Sequence, residues 1–347
     1  MERGRFPHIL CIAICIISFS ACSARKTTFP DQALSIHRSS GSAAASSVDS
    51  GAITITRRWR IAFIPKFKLL AETGHLSSYW EPAWEGARDA GKALGVDVEL
   101  LVGDARGNDD AAYVEPQIAL VDSLTRSRHF DGLVLAPFDS NRLAPVVDEV
   151  VASGIATVVL DTPVNTEKAY PFVTFDNLAA GRMIGACLTR KLGAGKSVLI
   201  LDGPTDEQNA VDRLDGLIDG LQAGGLRILD VRPANWEVET ARTITAGWLK
   251  EFGSFEAIAA ANDNMAIGAA EALEQRGRKG VLVTGFDATE EGIAALRAGR
   301  MAATVDQQPR LQARLAVRLL IRRLEGANDL PHKVSLEDIR LLEAGNL

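Results

Sequence analysis

Several polar residues in this 347-residue chain stand directly after short apolar runs, the places where a side chain is aimed without being swallowed by a core. Lys66 follows Arg60-Ile-Ala-Phe-Ile-Pro65. Asp161 follows Ala156-Thr-Val-Val-Leu160, and Asp287 follows Gly280-Val-Leu-Val-Thr-Gly-Phe286. Ala136 to Asp139, Asp202 to Thr205 and Asn262 to Asn264 hold equivalent places. A carboxylate accepts hydrogen bonds, an ammonium donates them, and a carboxamide does both. That mixture suits a ligand dense in hydroxyl groups, each of which both donates and accepts. Arginine would add a rigid donor fork, and aromatic rings would cover apolar C–H faces and exclude water.

The same residues do not compose a catalyst. Gly195-Lys196-Ser197 resembles the tail of a phosphate-binding loop, but Arg190 occupies the place of its first glycine, and the triplet precedes an apolar run rather than following one. Gly193 reads instead as a helix C-terminal residue. No G-x-G-x-x-G or G-x-S-x-G occurs, and His8, His37, His75, His129 and His332 lack metal-ligand spacing. We therefore expect no cofactor, no metal and no enzymatic activity.

Alternating strands and helices must position these groups. Helices are expected over Pro82 to Leu94, Pro116 to Thr125, Leu178 to Leu192 and Met265 to Leu273. Strands are expected at Arg60 to Pro65, Val96 to Val102, Leu133 to Ala136, Ala156 to Leu160, Val198 to Leu201, Ile258 to Ala261 and Val281 to Phe286. Their continuous apolar character implies burial on both faces, hence parallel sheets flanked by helices. The pattern Phe130 to Asp161 recurs from Phe255 to Asp287, about 125 residues later, so the α/β unit is duplicated. In such sheets ligands bind beyond the carboxyl ends of the strands. The connection Phe67 to Trp80, about 14 residues, far exceeds the usual strand–helix loop and ends in Tyr79-Trp80 beside a helix start.

The N-terminus reads as an export signal. Arg3 and Arg5 precede an apolar stretch from Ile9 to Phe19, too short for the roughly 20 residues a spanning helix needs. Phe19-Ser20-Ala21-Cys22 resembles a bacterial lipobox, so residues 1–22 are expected to be a lipoprotein-type signal with lipid on Cys22, and residues 23–57, rich in Ser and Ala, a flexible tether. Cys11 and Cys15 lie in the leader, which leaves Cys187 in the body as a packed core thiol. A formal net charge of −6 and the lack of a basic run argue against nucleic acid.

The chain resembles the periplasmic sugar-binding proteins of the ribose-binding type over about residues 59–330. The stretches that carry the resemblance are Asp176-Asn-Leu-Ala-Ala-Gly181, Asp202-Gly-Pro204, Asp212-Arg213-Leu-Asp-Gly216, Arg232-Pro-Ala-Asn-Trp236, Ala261-Asn-Asp-Asn-Met-Ala-Ile-Gly268, Val283-Thr-Gly-Phe-Asp287 and Ala303-Thr-Val-Asp-Gln-Gln-Pro309. The lactose-repressor type shares this fold but carries an N-terminal helix-turn-helix, where this chain has a signal and tether. The resemblance implies two doubly wound α/β lobes joined by a multi-stranded hinge, residues 58–175 plus 308–334 and 176–307 plus 335–347. It also implies that Tyr79, Trp80 and Trp236 stack on a sugar ring, while Asp161, Arg213, Asn262, Asp287 and Gln307 bind its hydroxyls. Phe286 is expected to pack beneath the site.

This chain departs from the family pattern at three places. Ala136 replaces an asparagine, Thr162 replaces an arginine, and Lys66 replaces a small polar residue. The ligand is therefore expected not to be ribose, with Lys66 adding a charge to the first lobe's half of the site. The implied role is a monomeric substrate-binding protein that closes on a monosaccharide or polyol and delivers it to an ABC importer permease. The alternative is a sensor that presents the same ligand to a chemoreceptor or histidine kinase.

Overall fold

The computed structural model describes residues 27–28, 48, 51–66, 78–103, 111–166, 168, 170–336 and 338–347. The expected signal, Cys22 and most of the tether lie outside the described residues, as do Phe67 to Ser77 of the long first-lobe loop. The first lobe is built on β1 (Arg60–Ile64), β2 (Asp97–Leu100), β3 (Gly132–Leu135), β4 (Ala156–Leu160) and β5 (Phe172–Phe175). The second uses β6 (Ser197–Asp202), β7 (Arg227–Pro233), β8 (Ala257–Ala260) and β9 (Leu282–Thr284). Three short strands follow, β10 (Thr304–Asp306), β11 (Lys333–Leu336) and β12 (Arg340–Leu342), while Thr27–Thr28 pairs antiparallel with Thr54–Ile55. Ile53 and Ile55 are buried, so this end of the expected tether is packed rather than flexible.

Both main sheets are parallel. Their orders are β11-β5-β4-β3-β1-β2 and β9-β8-β6-β7, so each chain segment starts near the middle, steps outward once, then winds the other way. That reversal creates a crevice at the carboxyl ends of the strands in each lobe. Strand β12 pairs antiparallel with β10, while β11 runs beside β5 as far as Leu336↔Phe175. The boundary expected at Val334-Ser335 lies inside β11, whose ladder to β5 keeps both residues, and Leu336 after them, in the first sheet.

Helices cover both faces of each sheet, as the unbroken apolar runs required. On one side of the first sheet Ile61, Phe63, Val134 and Val158 meet α1 (Trp80–Leu94) and α9 (Pro309–Leu324) through Ala87, Leu94, Leu315 and Leu319. On the other, Ala62, Ile64, Leu133 and Leu135 meet α2 (Ala111–Ser127) and α3 (Ala144–Ala152). The second sheet repeats this. Val198 and Ile200 face α4 (Asn177–Leu192) and α5 (Gln208–Ala223), while Leu199, Leu201 and Ile258 face α6 (Val238–Glu251) and α7 (Asp263–Gln275). Helix α8 (Glu290–Arg297) follows β9. Cys187 is fully buried, as expected.

Helix α2 begins at Ala111, before the expected start at Pro116, and encloses the proline. A proline in a helix interior removes one N–H and crowds the preceding turn. Burial of Val114, Val121 and Leu124 against the sheet outweighs that loss. No helix among the described residues is long and apolar enough to cross a membrane.

Candidate functional site

The carboxyl ends of the two sheets face one cavity of about 140 Å³. Lys66, Tyr79, Trp80, Asp161, Arg213, Trp236, Asn262, Asp287 and Gln307 all line it. The structure therefore brings these nine side chains together, whereas Asp139 and Asp202 to Thr205, from two other strand-end windows, do not line the cavity. It adds Ser78, Phe138, Glu207, Asn209, Glu237, Asn264 and Thr289. Phe138 and Asn264 fall in strand-end windows already recognised. Glu207 and Asn209 were missed, although Asn209 stands four residues before Arg213 and so shares its helix face.

Two backbone devices aim the strand-end acids. Asp161 and Asp287 take φ of 66° and 103°, a region that residues with a Cβ seldom enter. Each is pinned by the next strand: Asp161 N donates to Val173 O and Asp287 N to Val305 O, both at 2.8 Å. The turn throws each carboxylate out of its sheet and into the cleft. Strain of this kind costs on the order of 1–3 kcal/mol and concentrates at functional positions. Asn235 and Trp236 are also left-handed, at φ 52° and 64°, which carries the indole over Gly203. A Cβ at Gly203 would collide with that ring, so the Asp202-Gly203-Pro204 stretch needs its glycine.

Arg213 reaches the cavity because α5 packs tightly on α4. A Cβ at Gly181 would strike the Arg213 carbonyl, and one at Gly216 the Leu178 carbonyl. Helix-interior glycines cost about 1 kcal/mol each relative to alanine, and this close approach accounts for both. Arg213 is 2% exposed, a buried cation rather than a surface one. Its Nε and Nη2 donate to Asn177 Oδ1 at 3.1 and 2.8 Å, and Nη1 donates to Ala261 O. It lies over Phe286, 4.4 Å from the ring centroid, and 3.9 Å from Asp287 Oδ1. Phe286 is fully buried beneath it, as expected.

The remaining groups form one network. Tyr79 OH lies 3.1 Å from Asp161 Oδ1 and 3.2 Å from Gln307 Oε1, while Gln307 Nε2 donates to Asp287 Oδ1. Burial, with Asp161 and Asp287 adding to it, pushes the Tyr79 hydroxyl well up, so it remains a donor at neutral pH. Burial also raises the Asp287 carboxyl above the usual range, against the pull of Arg213. Asn262 does two jobs. Its Oδ1 caps α7 by accepting from Met265 N at 2.8 Å, while its Nδ2 donates to Trp236 O at 3.4 Å.

Lys66 and Thr162, two departures from the expected pattern, meet. Lys66 Nζ donates to Thr162 Oγ1 at 2.7 Å and lies 3.3 Å from Asp161 Oδ2. The positive charge absent at position 162 is thus supplied from the first strand. Lys66 also reaches Glu207 Oε2 at 2.6 Å. Among the described residues no group of three or more His, Cys, Asp or Glu is arranged to hold a metal ion.

Comparison with known proteins agrees with this architecture. Residues 72–328 match the periplasmic binding protein domain family. The D-ribose/D-allose-binding protein of Pseudomonas aeruginosa is 33% identical over 229 residues, which span 64% of this chain and 72% of that protein. The ribose import binding protein of Haemophilus influenzae is 31% identical over 233 residues, 67% of this chain and 77% of its own length. Among solved structures, an ABC transporter periplasmic solute binding protein from Actinobacillus succinogenes with bound D-allose superposes with a TM-score of 0.75 at 25% identity, covering 83% of this chain and 99% of that one. The two-lobe fold, the strand-end site and the family match over most of the chain place this protein in the periplasmic binding protein family.

Proposed function

We propose that this protein captures a neutral monosaccharide or cyclic polyol outside the cytoplasm and delivers it to an ABC importer permease. The observation that carries the reading is convergence. Carboxylates from both lobes (Asp161 and Asp287), a buried guanidinium (Arg213), amides (Asn209, Asn262 and Gln307) and three aromatic side chains (Tyr79, Trp80 and Trp236) meet in one cavity. Such a lining matches hydroxyls as donors and acceptors at once and leaves rings for the C–H faces. The relatives that bind or import ribose and allose support the same ligand class and favour import over sensing. The lobes would divide after β5, between Gln307 and Gln308, and after β11. Ligand would favour the closed arrangement, since only there do both halves touch it.

The decisive experiment is a thermal-shift screen of the purified protein against sugars, cyclitols and linear polyols, followed by calorimetry. A ligand that binds only the native state raises Tm, and a panel without any shift would overturn the reading. Anchoring belongs to the same proposal: lipid on Cys22 would hold the protein at a membrane, because several acyl chains anchor firmly where one does not. Cys22→Ser should then release the folded protein into the soluble fraction, and equal membrane retention after a high-salt wash would refute the anchor.

A further inference from the structure

We infer that Lys66 and Glu207 form a protein-internal clasp across the cleft, so that Lys66 is a positioning residue for lobe closure rather than a donor to ligand. Lys66 leaves β1 of the first lobe and Glu207 stands at the start of α5 in the second, 141 positions later. Their side chains are 10% and 1% exposed. An ammonium has three protons, and among the described residues this one meets three acceptors: Thr162 Oγ1 at 2.7 Å, Glu207 Oε2 at 2.6 Å and Asp161 Oδ2 at 3.3 Å. The Thr162 hydroxyl, having accepted from Lys66, donates to Asp161 Oδ2 at 2.9 Å. On the far side, Glu207 Oε1 accepts from the Trp236 indole N–H at 3.3 Å. The clasp therefore fixes a carboxylate of one lobe and an aromatic ring of the other in a single chain of contacts.

Its energetic signature is asymmetric. Opening the cleft returns both charges to water, and closing it buries them as a pair. A buried pair contributes little relative to apolar replacements, but removing one partner strands the other charge in a dry site at a cost of about 100-fold or more in the closing equilibrium. Lys66→Met should thus oppose closure, because it strands both Glu207 and Asp161. Glu207→Gln should oppose it less, because Lys66 keeps Asp161 as a partner, and the double variant, which strands Asp161 alone, should close better than Lys66→Met. This pattern distinguishes a clasp from a ligand donor, whose loss the second substitution would not repair.

The test measures closure directly, with spin labels at Lys92→Cys on α1 and Gln275→Cys on α7, both exposed. Pulsed-dipolar distances are recorded in ligand-free protein and with the polyol identified in the thermal-shift screen. Each single variant should lengthen the inter-lobe distance. Lys66→Met should weaken polyol binding about 100-fold or more and Glu207→Gln less, and the double variant should lose less than Lys66→Met alone. Unchanged distances in the single variants, or additive losses in the double, would overturn the clasp. Because ligand-free distances need no polyol, failure of the clasp and failure of the sugar-binding reading give separate results.

Discussion

Asp161 and Asp287 hold the same place in the two lobes, yet their surroundings differ. Both end a strand, both turn through positive φ and both are pinned by the carbonyl of the next strand. Hydroxyls echo this too: Thr174 Oγ1 donates to Asp161 O, and Thr304 Oγ1 accepts from Ala288 N, beside Asp287. The cations do not echo. Asp161 lies against a lysine ammonium at 3.3 Å, whereas Asp287 faces an arginine at 3.9 Å whose other donors serve Asn177 and Ala261. A duplicated fold thus conserves the direction of a carboxylate through its backbone, while the counter-charge is left to whichever neighbouring element can supply it.

The largest effect should come from removing the second lobe's cation. Arg213→Ala would leave Asp287 buried beside unfilled space, and breaking a buried pair in this way costs about 3–5 kcal/mol. Denaturant unfolding should show that loss, and Lys66→Met should show much less, because opening the cleft rehydrates Asp161 without unfolding a lobe. Equal losses would mean that the two carboxylates are supported alike.

Tryptophans separate site from core to a similar extent. Trp248 is fully buried on α6, with its indole donating to Asp230 Oδ2 at 2.8 Å, so Trp248→Ala should cost about 3–5 kcal/mol in stability. Trp80→Ala and Trp236→Ala should instead weaken ligand binding more than Trp248→Ala does, and saturating ligand should change the protein's tryptophan fluorescence. Calorimetry that ranks the three variants in reverse would put the cleft elsewhere.

Truncating each carboxylate sharpens the comparison. Asp161→Ala and Asp287→Ala should each cost about 1.5–3 kcal/mol of binding, roughly 10- to 150-fold, with both proteins folded. Wild-type affinity in either variant would remove that residue from the site.

A further effect, on stability rather than binding, is pH-linked. Burial raises Asp202, at the end of β6, to about 6. A carboxyl whose folded pKa lies above its unfolded value stabilises most below the unfolded pKa, and that contribution is lost as pH rises through the folded one. Between about pH 4 and 6 the wild type should therefore lose about 2–3 kcal/mol that Asp202→Asn retains. Parallel pH–stability curves for the two proteins would contradict the shift.

The sequence by itself determined where the strands end, and with them most of the site. Runs such as Ala156 to Leu160 and Val198 to Leu201 are apolar at every position, so they had to lie between helix layers, and a parallel sheet exposes its binding groups only at the carboxyl ends. Asp161, Asn262 and Asp287 were legible for that reason, while Arg213 and Trp236 became so only through the family resemblance. Tertiary structure alone decided the rest. Helix α2 runs through Pro116 because distant packing outweighs a local rule, and Asn262 both caps a helix and faces the cavity because Trp236 folds over it. The Lys66–Glu207 contact spans two lobes and 141 positions. Local pattern carries no information about such a pair, because its formation depends on how two separately folded sheets face each other.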